Sequence, residues 1–514
     1  MLTNRIKYNH LEAQQMTIYK TKPFLLVLLI VAIAVAGCKK AWDDHNSIDL
    51  PQLDQTLYQY ISADPNLSTF TGYLAKTGYD KVLGSSKSFT VWAPDNDALK
   101  NLDPAVVNNA EALKRFVGNH IADQGYFTSS PQPSLIIRAM NGKNVTFTKT
   151  NFEQSTITQA DVYVKNGVLH KVNAASLPKQ NAWEFLQNSG VATAQKDFIK
   201  GLEFMDLDTS KGVLLYKDPV TQKGVYQEGT TFKVLRNKYF QRVADISSED
   251  SLMTYIILNN VAFEAEKLKM AQYHKQVDPL MSDTLTKWSV VKDLVVNKVY
   301  QINNLPDSLT TVTGVKIHLD KNAIVETRLL SNGIAYVVNK IDYKLMENKI
   351  PTIVLQGETV DSLRVPSAPT TRIKQDPNGI RFTDLQTGSI TSSPTPLYYF
   401  RYKTKVNAVK YEVYWRAVND VLTTPISMKI DFSTTRAFTT LPVLPTVGYY
   451  AVPSIIGLAT ASQAYKDAYK EVYLGTYTAN EYGDLYLFLA SSLGATSTLP
   501  TALSLDYIKL KPVN

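Results

Sequence analysis

Cysteine is nearly missing from this chain: Cys38 is the single one in 514 residues. One thiol cannot close an intramolecular disulfide, so burial and hydrogen bonding must hold the fold, and a cysteine-rich metal site is excluded. Histidine is scarce too. His45, His120, His170, His274 and His318 follow Cys38 without forming an HExxH, an HxH or a His/Cys cluster, so neither a dedicated zinc site nor a cofactor is expected. There is no GxSxG elbow, no GxxxxGKS/T loop and no GxGxxG after a strand, which removes the common signatures of acyl, phosphoryl and dinucleotide chemistry. No dense Lys/Arg tract interleaved with aromatics occurs, so nucleic acid is not an expected partner. What is plentiful is tyrosine, at 30 residues, in a chain that is 44% hydrophobic and 19% charged, ample for several ordinary domains.

Cys38 sits at the end of the apolar run PFLLVLLIVAIAVAG, Pro23 to Gly37, preceded by Lys20 and Lys22. The run has the length of a signal-peptide core and falls short of the ~20 residues that span a bilayer. Val35-Ala36-Gly37-Cys38 resembles the lipobox of bacterial lipoproteins, which implies that residues 1–37 are a signal peptide and that lipidated Cys38 becomes the new N-terminus. Met16 opens a complete basic segment of its own, leaving Met1 and Met16 both open as the start. Without residues 1–37 the charge falls from +8 to +5, with 50 basic and 45 acidic side chains left. Acyl chains hold a protein by apolar burial, about 0.8 kcal/mol per CH2, so the expected partner at this end is a membrane. The expected place is the cell envelope, lipid-anchored, at the outer membrane of a Gram-negative bacterium. Asp43 and Asp44 resemble surface-export signals, with the periplasmic and surface faces both open.

Residues 38–52 read as a polar tether. From Leu53 the periodicity becomes helical at Leu57, Tyr60 and Ile61 and again at Leu67, Phe70 and Leu74, then strand-like in SFTVWAP. Pro94 ends the strand, and Asp95 and Asp97 open a helix, where negative charge complements exposed N–H groups.

FTVWAPDNDALKNL (89–102) resembles the first signature box of fasciclin (FAS1) domains, of the type FTVFAPTNEAF. RFVGNHIADQGYF (115–127) is similar to that family's Tyr-His box, with Asn119 where tyrosine is common. VKNGVLHKVNAAS (164–176) resembles its second box, of the type NGVIHVID. The resemblance covers residues 53–178 and implies structural roles for Thr90, Ala93, Pro94, Asn96, His120, Asn166, Gly167 and His170. It also implies adhesion without turnover.

The boxes recur. Asn332-Gly333 in SNGIAYVVNKID lies 166 residues after Asn166-Gly167, and Thr254, Asn260 and Ala262 lie 164 residues after Thr90, Asn96 and Ala98. Two matches at nearly one offset argue for duplication, so residues 179–345 read as a second, divergent FAS1 domain. It lacks the Ala-Pro and the His box, has Tyr336 in place of His170, and carries an insertion-like stretch at 207–230. The expected fold is therefore α+β, two tandem FAS1 domains followed by an all-β domain over 346–514. There, Val409, Tyr411, Val413 and Trp415 share one strand face, with Lys410, Glu412 and Tyr414 on the other. Glu481-Tyr482-Gly483-Asp484 reads as a hairpin turn. Several such strands predict a β-sandwich, jelly-roll or galactose-binding-like, and LSLDYIKLKPV is similar to the last strand of galactose-binding-like carbohydrate-binding modules.

These features predict a non-catalytic cell-envelope lipoprotein mediating adhesion or extracellular protein or polysaccharide binding. The alternative is a glycan-capture accessory of an outer-membrane polysaccharide uptake system, with the terminal sandwich holding the sugar. Trp415, Tyr477 and Tyr482 are the candidate binding residues, because such rings join an apolar body to a polar tip.

Overall fold

The computed structural model describes residues 51–130, 133–438 and 445–513; Cys38, residues 1–37, the two possible start methionines, Asp43 and Asp44 lie outside the described residues. The chain divides into two compact units, Met1–Leu177 and Pro178–Asn514.

The first unit is built on strands β1 (Phe89–Pro94), β2 (Ile121–Ala122), β3 (Ser134–Arg138), β4 (Asn144–Thr148), β5 (Asn151–Phe152), β6 (Ser155–Val164) and β7 (Gly167–Val172), in the sheet order β2-β1-β7-β6-β5-β4-β3. β1 runs parallel to β7, and β2 and β6 flank that pair antiparallel. All six residues of β1 are buried, as expected of a strand covered on both faces, which reads as a continuous apolar run. Val91 and Leu169 pack on one side with Leu57, Phe70, Leu74 and Phe116 from the helices. Trp92 and Val172 pack on the other with Phe147 and Phe152. Asp95 caps the helix Asn96–Leu99 by accepting from the Ala98 N–H at 2.8 Å, the role its position predicts.

The second unit holds two cores. The first surrounds β12 (Met253–Leu258), β13 (Val295–Val296), β16 (Ile324–Leu330) and β17 (Gly333–Val338), preceded in sequence by β8 (Glu203–Asp208), β9 (Leu214–Lys217), β10 (Gly224–Tyr226) and β11 (Phe232–Asn237), with β14 (Leu309–Thr310) and β15 (Lys316–Ile317) lying between β13 and β16. Its sheet order is β13-β12-β17-β16, with β12 and β17 parallel, the same arrangement as β2-β1-β7-β6. The insertion read at 207–230 is wider than its turn residues indicate. β8 pairs with β11 and β9 with β10 as two ribbons, joining the helices Thr193–Lys200 and Lys238–Arg242. In the first unit the matching helices, Ser68–Thr77 and Tyr79–Leu83, are joined by Gly78 alone.

The other core lies between two antiparallel sheets. One has the order β18 (Ile353–Gln356), β29 (Tyr507–Val513), β23 (Lys410–Arg416), β26 (Val472–Thr478). The other runs β19 (Ser362–Arg364), β22 (Tyr399–Val406), β27 (Gly483–Ser491), β24 (Ile426–Ser433), β25 (Thr446–Val452). A smaller sheet, β20 (Thr370–Gln375), β21 (Arg381–Gln386), β28 (Ser504–Leu505), adjoins them. Tyr411, Val413 and Trp415 from the first sheet meet Phe400, Tyr402, Ile430 and Leu487 from the second, a sandwich-like arrangement.

The hairpin expected at Glu481–Asp484 is not formed. β26 and β27 belong to different sheets, so the chain crosses between them. The connection is tied elsewhere: the Tyr482 N–H donates to the Lys275 carbonyl at 2.8 Å, the Gln276 side-chain amide meets the Tyr482 carbonyl, and the Tyr482 ring lies 5.1 Å from that of His274. With Ala408 N–H bonded to the Tyr273 carbonyl at 3.0 Å, these contacts join the two cores of this unit.

Candidate functional site

The motif residues of the first unit bind its own backbone. The Asn166 side chain accepts from the Leu57 N–H at 2.7 Å and donates to the carbonyls of Leu83 and Ser85 at 2.8 and 2.6 Å. The Thr90 hydroxyl donates to the Gln124 carbonyl at 2.6 Å and accepts from the Tyr126 N–H at 2.8 Å. Asn96 accepts from the Thr69 N–H and donates to the Pro65 carbonyl, each at 2.9 Å. Gly167 has φ +154°, and a Cβ there would stand 2.0 Å from the Phe89 carbonyl oxygen. Ala93 and Pro94 are buried in β1.

Both histidines are fully buried and use both ring nitrogens. In His120, Nδ1 donates to the Phe116 carbonyl at 3.0 Å and Nε2 accepts from the Ser176 N–H at 3.2 Å. In His170, Nε2 donates to the Tyr126 carbonyl at 2.9 Å and Nδ1 accepts from the Asp161 N–H at 3.2 Å. Burial brings His120 down to about 4, against the pull of its bond to Phe116, and burial also lowers His170. Both rings are therefore neutral near pH 7, with no nitrogen left to move a proton for a substrate.

The second unit repeats this frame. Asn332 accepts from the Ala182 N–H at 2.9 Å and donates to the carbonyls of Ile246 and Ser248 at 3.0 and 2.9 Å. The Thr254 hydroxyl donates to the Lys298 carbonyl at 2.7 Å and accepts from the Tyr300 N–H at 2.9 Å. A Cβ on Gly333, at φ +140°, would lie 1.9 Å from the Met253 oxygen. Where His170 reaches the Tyr126 carbonyl, the Tyr336 hydroxyl reaches the Tyr300 carbonyl at 2.7 Å.

The three candidate binding rings lie elsewhere than a binding surface requires. Trp415 is 0% exposed, because the alternation that places Tyr411 and Val413 in the core carries it inward too. Tyr477 stacks on Phe432 from the facing sheet at 4.1 Å. Tyr482 is engaged at the joint described above.

One aromatic surface is the outer face of β29, β23 and β26. Lys509 is the register partner of Tyr414, which in turn pairs with Tyr473. The Tyr414 and Tyr473 rings lie 5.3 Å apart, Lys509 Nζ is 4.5 Å from the Tyr414 centroid, and Tyr473 is 54% exposed. Acids hold the hydroxyls in place: Tyr414 donates to Glu412 and Tyr507 donates to Glu471, each at 2.9 Å. Burial and the bond to Glu471 push Tyr507 up to about 12, while the bond from Tyr414, then Lys511, lowers Glu412. Fixed rings beside fixed charges suit sugar stacking with hydroxyl recognition. The signal was one residue from Trp415, on the strand face opposite it. Among the described residues, no group of three or more His, Cys, Asp or Glu could hold a metal ion.

Residues 65–178 match the family model of the fasciclin domain, so the chain contains a FAS1 domain. Protein sll1483 of Synechocystis sp. is 26% identical over 133 residues, 24% of this chain and 73% of that protein. Transforming growth factor-beta-induced protein ig-h3 of Sus scrofa is 21% identical over 134 residues, 24% of this chain and 20% of that protein. Among solved structures, a FAS1 domain pair from the insect cell adhesion molecule Fasciclin I has 12% identity and a TM-score of 0.22, with coverage of 55% of this chain and 97% of that one.

Proposed function

We propose that this chain, which contains a fasciclin domain at residues 65–178, is a non-catalytic cell-envelope binding protein. Lipid on Cys38 anchors it, two tandem FAS1 domains (the second divergent, over residues 179–345) form its body, and a galactose-binding-like sandwich presents extracellular polysaccharide or protein ligands to it. The same architecture fits adhesion and fits glycan capture beside an outer-membrane uptake system. Support for binding over turnover comes from the motif histidines, whose nitrogens are all taken up by backbone partners.

The observation that carries the ligand reading is the outer face holding Tyr414, Tyr473 and Tyr507. Stacking of this kind is worth roughly 0.5–1.5 kcal/mol per ring pair, so Tyr473→Ala in the full chain should weaken binding to a neutral β-glucan or mannan about threefold to tenfold. Affinity electrophoresis reads this directly. Retention equal to the native chain's, with the variant folded, removes that face from the reading. Cys38→Ala should release the protein from the membrane fraction; a variant still acylated and membrane-bound refutes the anchor.

A further inference from the structure

The second unit carries a cleft of about 610 Å³ lined by Ser308, Lys316, His318, Tyr343, Asn348 and the Lys344–Glu347 pair, within the ~300–1,000 Å³ typical of small-ligand sites. One wall is the β14–β15 hairpin, whose ladder is only two residue pairs long, Leu309 with Ile317 and Thr310 with Lys316. The first unit's β3–β4 hairpin has five. The other wall is the helical turn Leu345–Lys349. His318 and Asp342 exchange backbone bonds of 2.7 and 3.2 Å, which holds the walls together. Tyr343 is fixed from beneath: its hydroxyl donates to Glu266, and Lys269 and Lys349 lie 3.8 and 4.7 Å from its ring centroid.

The charges are uneven. Lys344 is paired with Glu347 at 3.2 Å, and Lys349 with Asp293 at 3.2 Å. Among the described residues, Lys316 has no hydrogen-bond or ion-pair partner, nor do the Ser308 hydroxyl and the Asn348 side-chain amide, and His318 uses only Nδ1, toward the Asp307 carbonyl. One unpaired cation thus shares a cleft with three further hydrogen-bonding side chains, Ser308, Asn348 and His318. A carboxylate answers the cation, and several hydroxyls answer the others. A sugar ring carrying one carboxylate has that ratio, whereas an acidic peptide side chain would satisfy the lysine alone.

We propose that this cleft binds an acidic sugar residue, its carboxylate on Lys316 and its hydroxyls on Ser308, Asn348 and His318 Nε2. The proposal rests on the polysaccharide reading above and adds a second site with its own ligand class. The test is calorimetry on the full chain with a trigalacturonate, a neutral β-glucan trimer and a short polyglutamate peptide, at low and high salt. The trigalacturonate should bind, more weakly at high salt. Lys316→Ala should weaken it at least tenfold and Lys316→Arg less than threefold, with melting temperatures unchanged. Equal trigalacturonate affinity in Lys316→Ala overturns the proposal, as does binding of polyglutamate in preference to the sugar. Neutral glycan binding without trigalacturonate binding refutes the cleft alone; if neither sugar binds, the polysaccharide reading fails with it.

Discussion

Thr90 and Thr254 make the same two backbone bonds in the first and second units, and Asn166 and Asn332 the same three. Around that frame the side chains differ in kind. Asn119 is a buried amide that donates to the Ser176 carbonyl and accepts from Asn141 at 2.9 Å. At the matching place Asp293 is a buried carboxylate that accepts from Thr313 at 2.6 Å and pairs with Lys349, whose side chain is 1% exposed. Neutral amides satisfy their bonds without a charge to desolvate, whereas a buried ion pair carries that cost and makes each partner depend on the other. The comparison teaches that the fold keeps the threonine and asparagine bonds to the backbone, while the buried polar group beside them changes in both charge and partner.

The sharpest way to break the likeness is at the two glycines. Gly333→Ala and Gly167→Ala each drive a Cβ into a carbonyl that belongs to the parallel strand pair. Each should cost its unit about 4 kcal/mol or more, seen as early proteolysis of that unit alone. If either variant melts within a degree or two of the parent chain, the frame is looser than described.

Acid should separate the units next. His120 titrates at about 4 in the folded chain against 6.5 when unfolded, and His170 is lowered as well. The unfolded chain therefore binds more protons between those values, so the stability these rings confer is whole above pH 6.5 and is lost as pH falls toward 4, up to about 3 kcal/mol for His120. The second unit has one such ring, His274, lowered first by burial. Pulse proteolysis from pH 7.5 to 4.5 should show the first unit opening before the second. The reverse order, or simultaneous opening, contradicts the assignment.

The smallest effect is expected from exchanging the ring itself. His170→Tyr copies Tyr336 and keeps a donor for the Tyr126 carbonyl, against the extra volume placed beside Trp92 and Phe147, at 5.9 and 5.4 Å. A loss of about 1–2 kcal/mol is expected, less than for His170→Ala, which leaves that carbonyl unanswered. Urea midpoints of the two variants decide it; equal midpoints would mean that the hydroxyl does not reach.

Much of the first unit was legible because its signals are local: an alternation or an apolar run, a helix-capping aspartate at Asp95, and the Asn-Gly pair at Asn166-Gly167. The recurrence at Asn332-Gly333 was legible for the same reason. The binding candidates were not. Trp415 and Tyr414 sit one residue apart on β23, and periodicity assigns them to opposite faces without saying which face meets another sheet. The cleft was less legible still, since Lys316 and Asn348 are 32 positions apart and only the short β14–β15 hairpin and the turn at Leu345–Lys349 bring them together.

By itself the sequence determined the Asp95 cap, the alternation along the strands and the recurrence of the Asn-Gly pair, because each is read from a few neighbouring residues. Tertiary structure alone decided that Trp415 is core and Tyr473 surface, that Glu481–Asp484 bridges two sheets rather than turning a hairpin, and that Lys316 shares a cleft with Ser308, Asn348 and His318. Those outcomes depend on which apolar faces find one another across long stretches of chain, and burial is non-directional, so no local pattern encodes them.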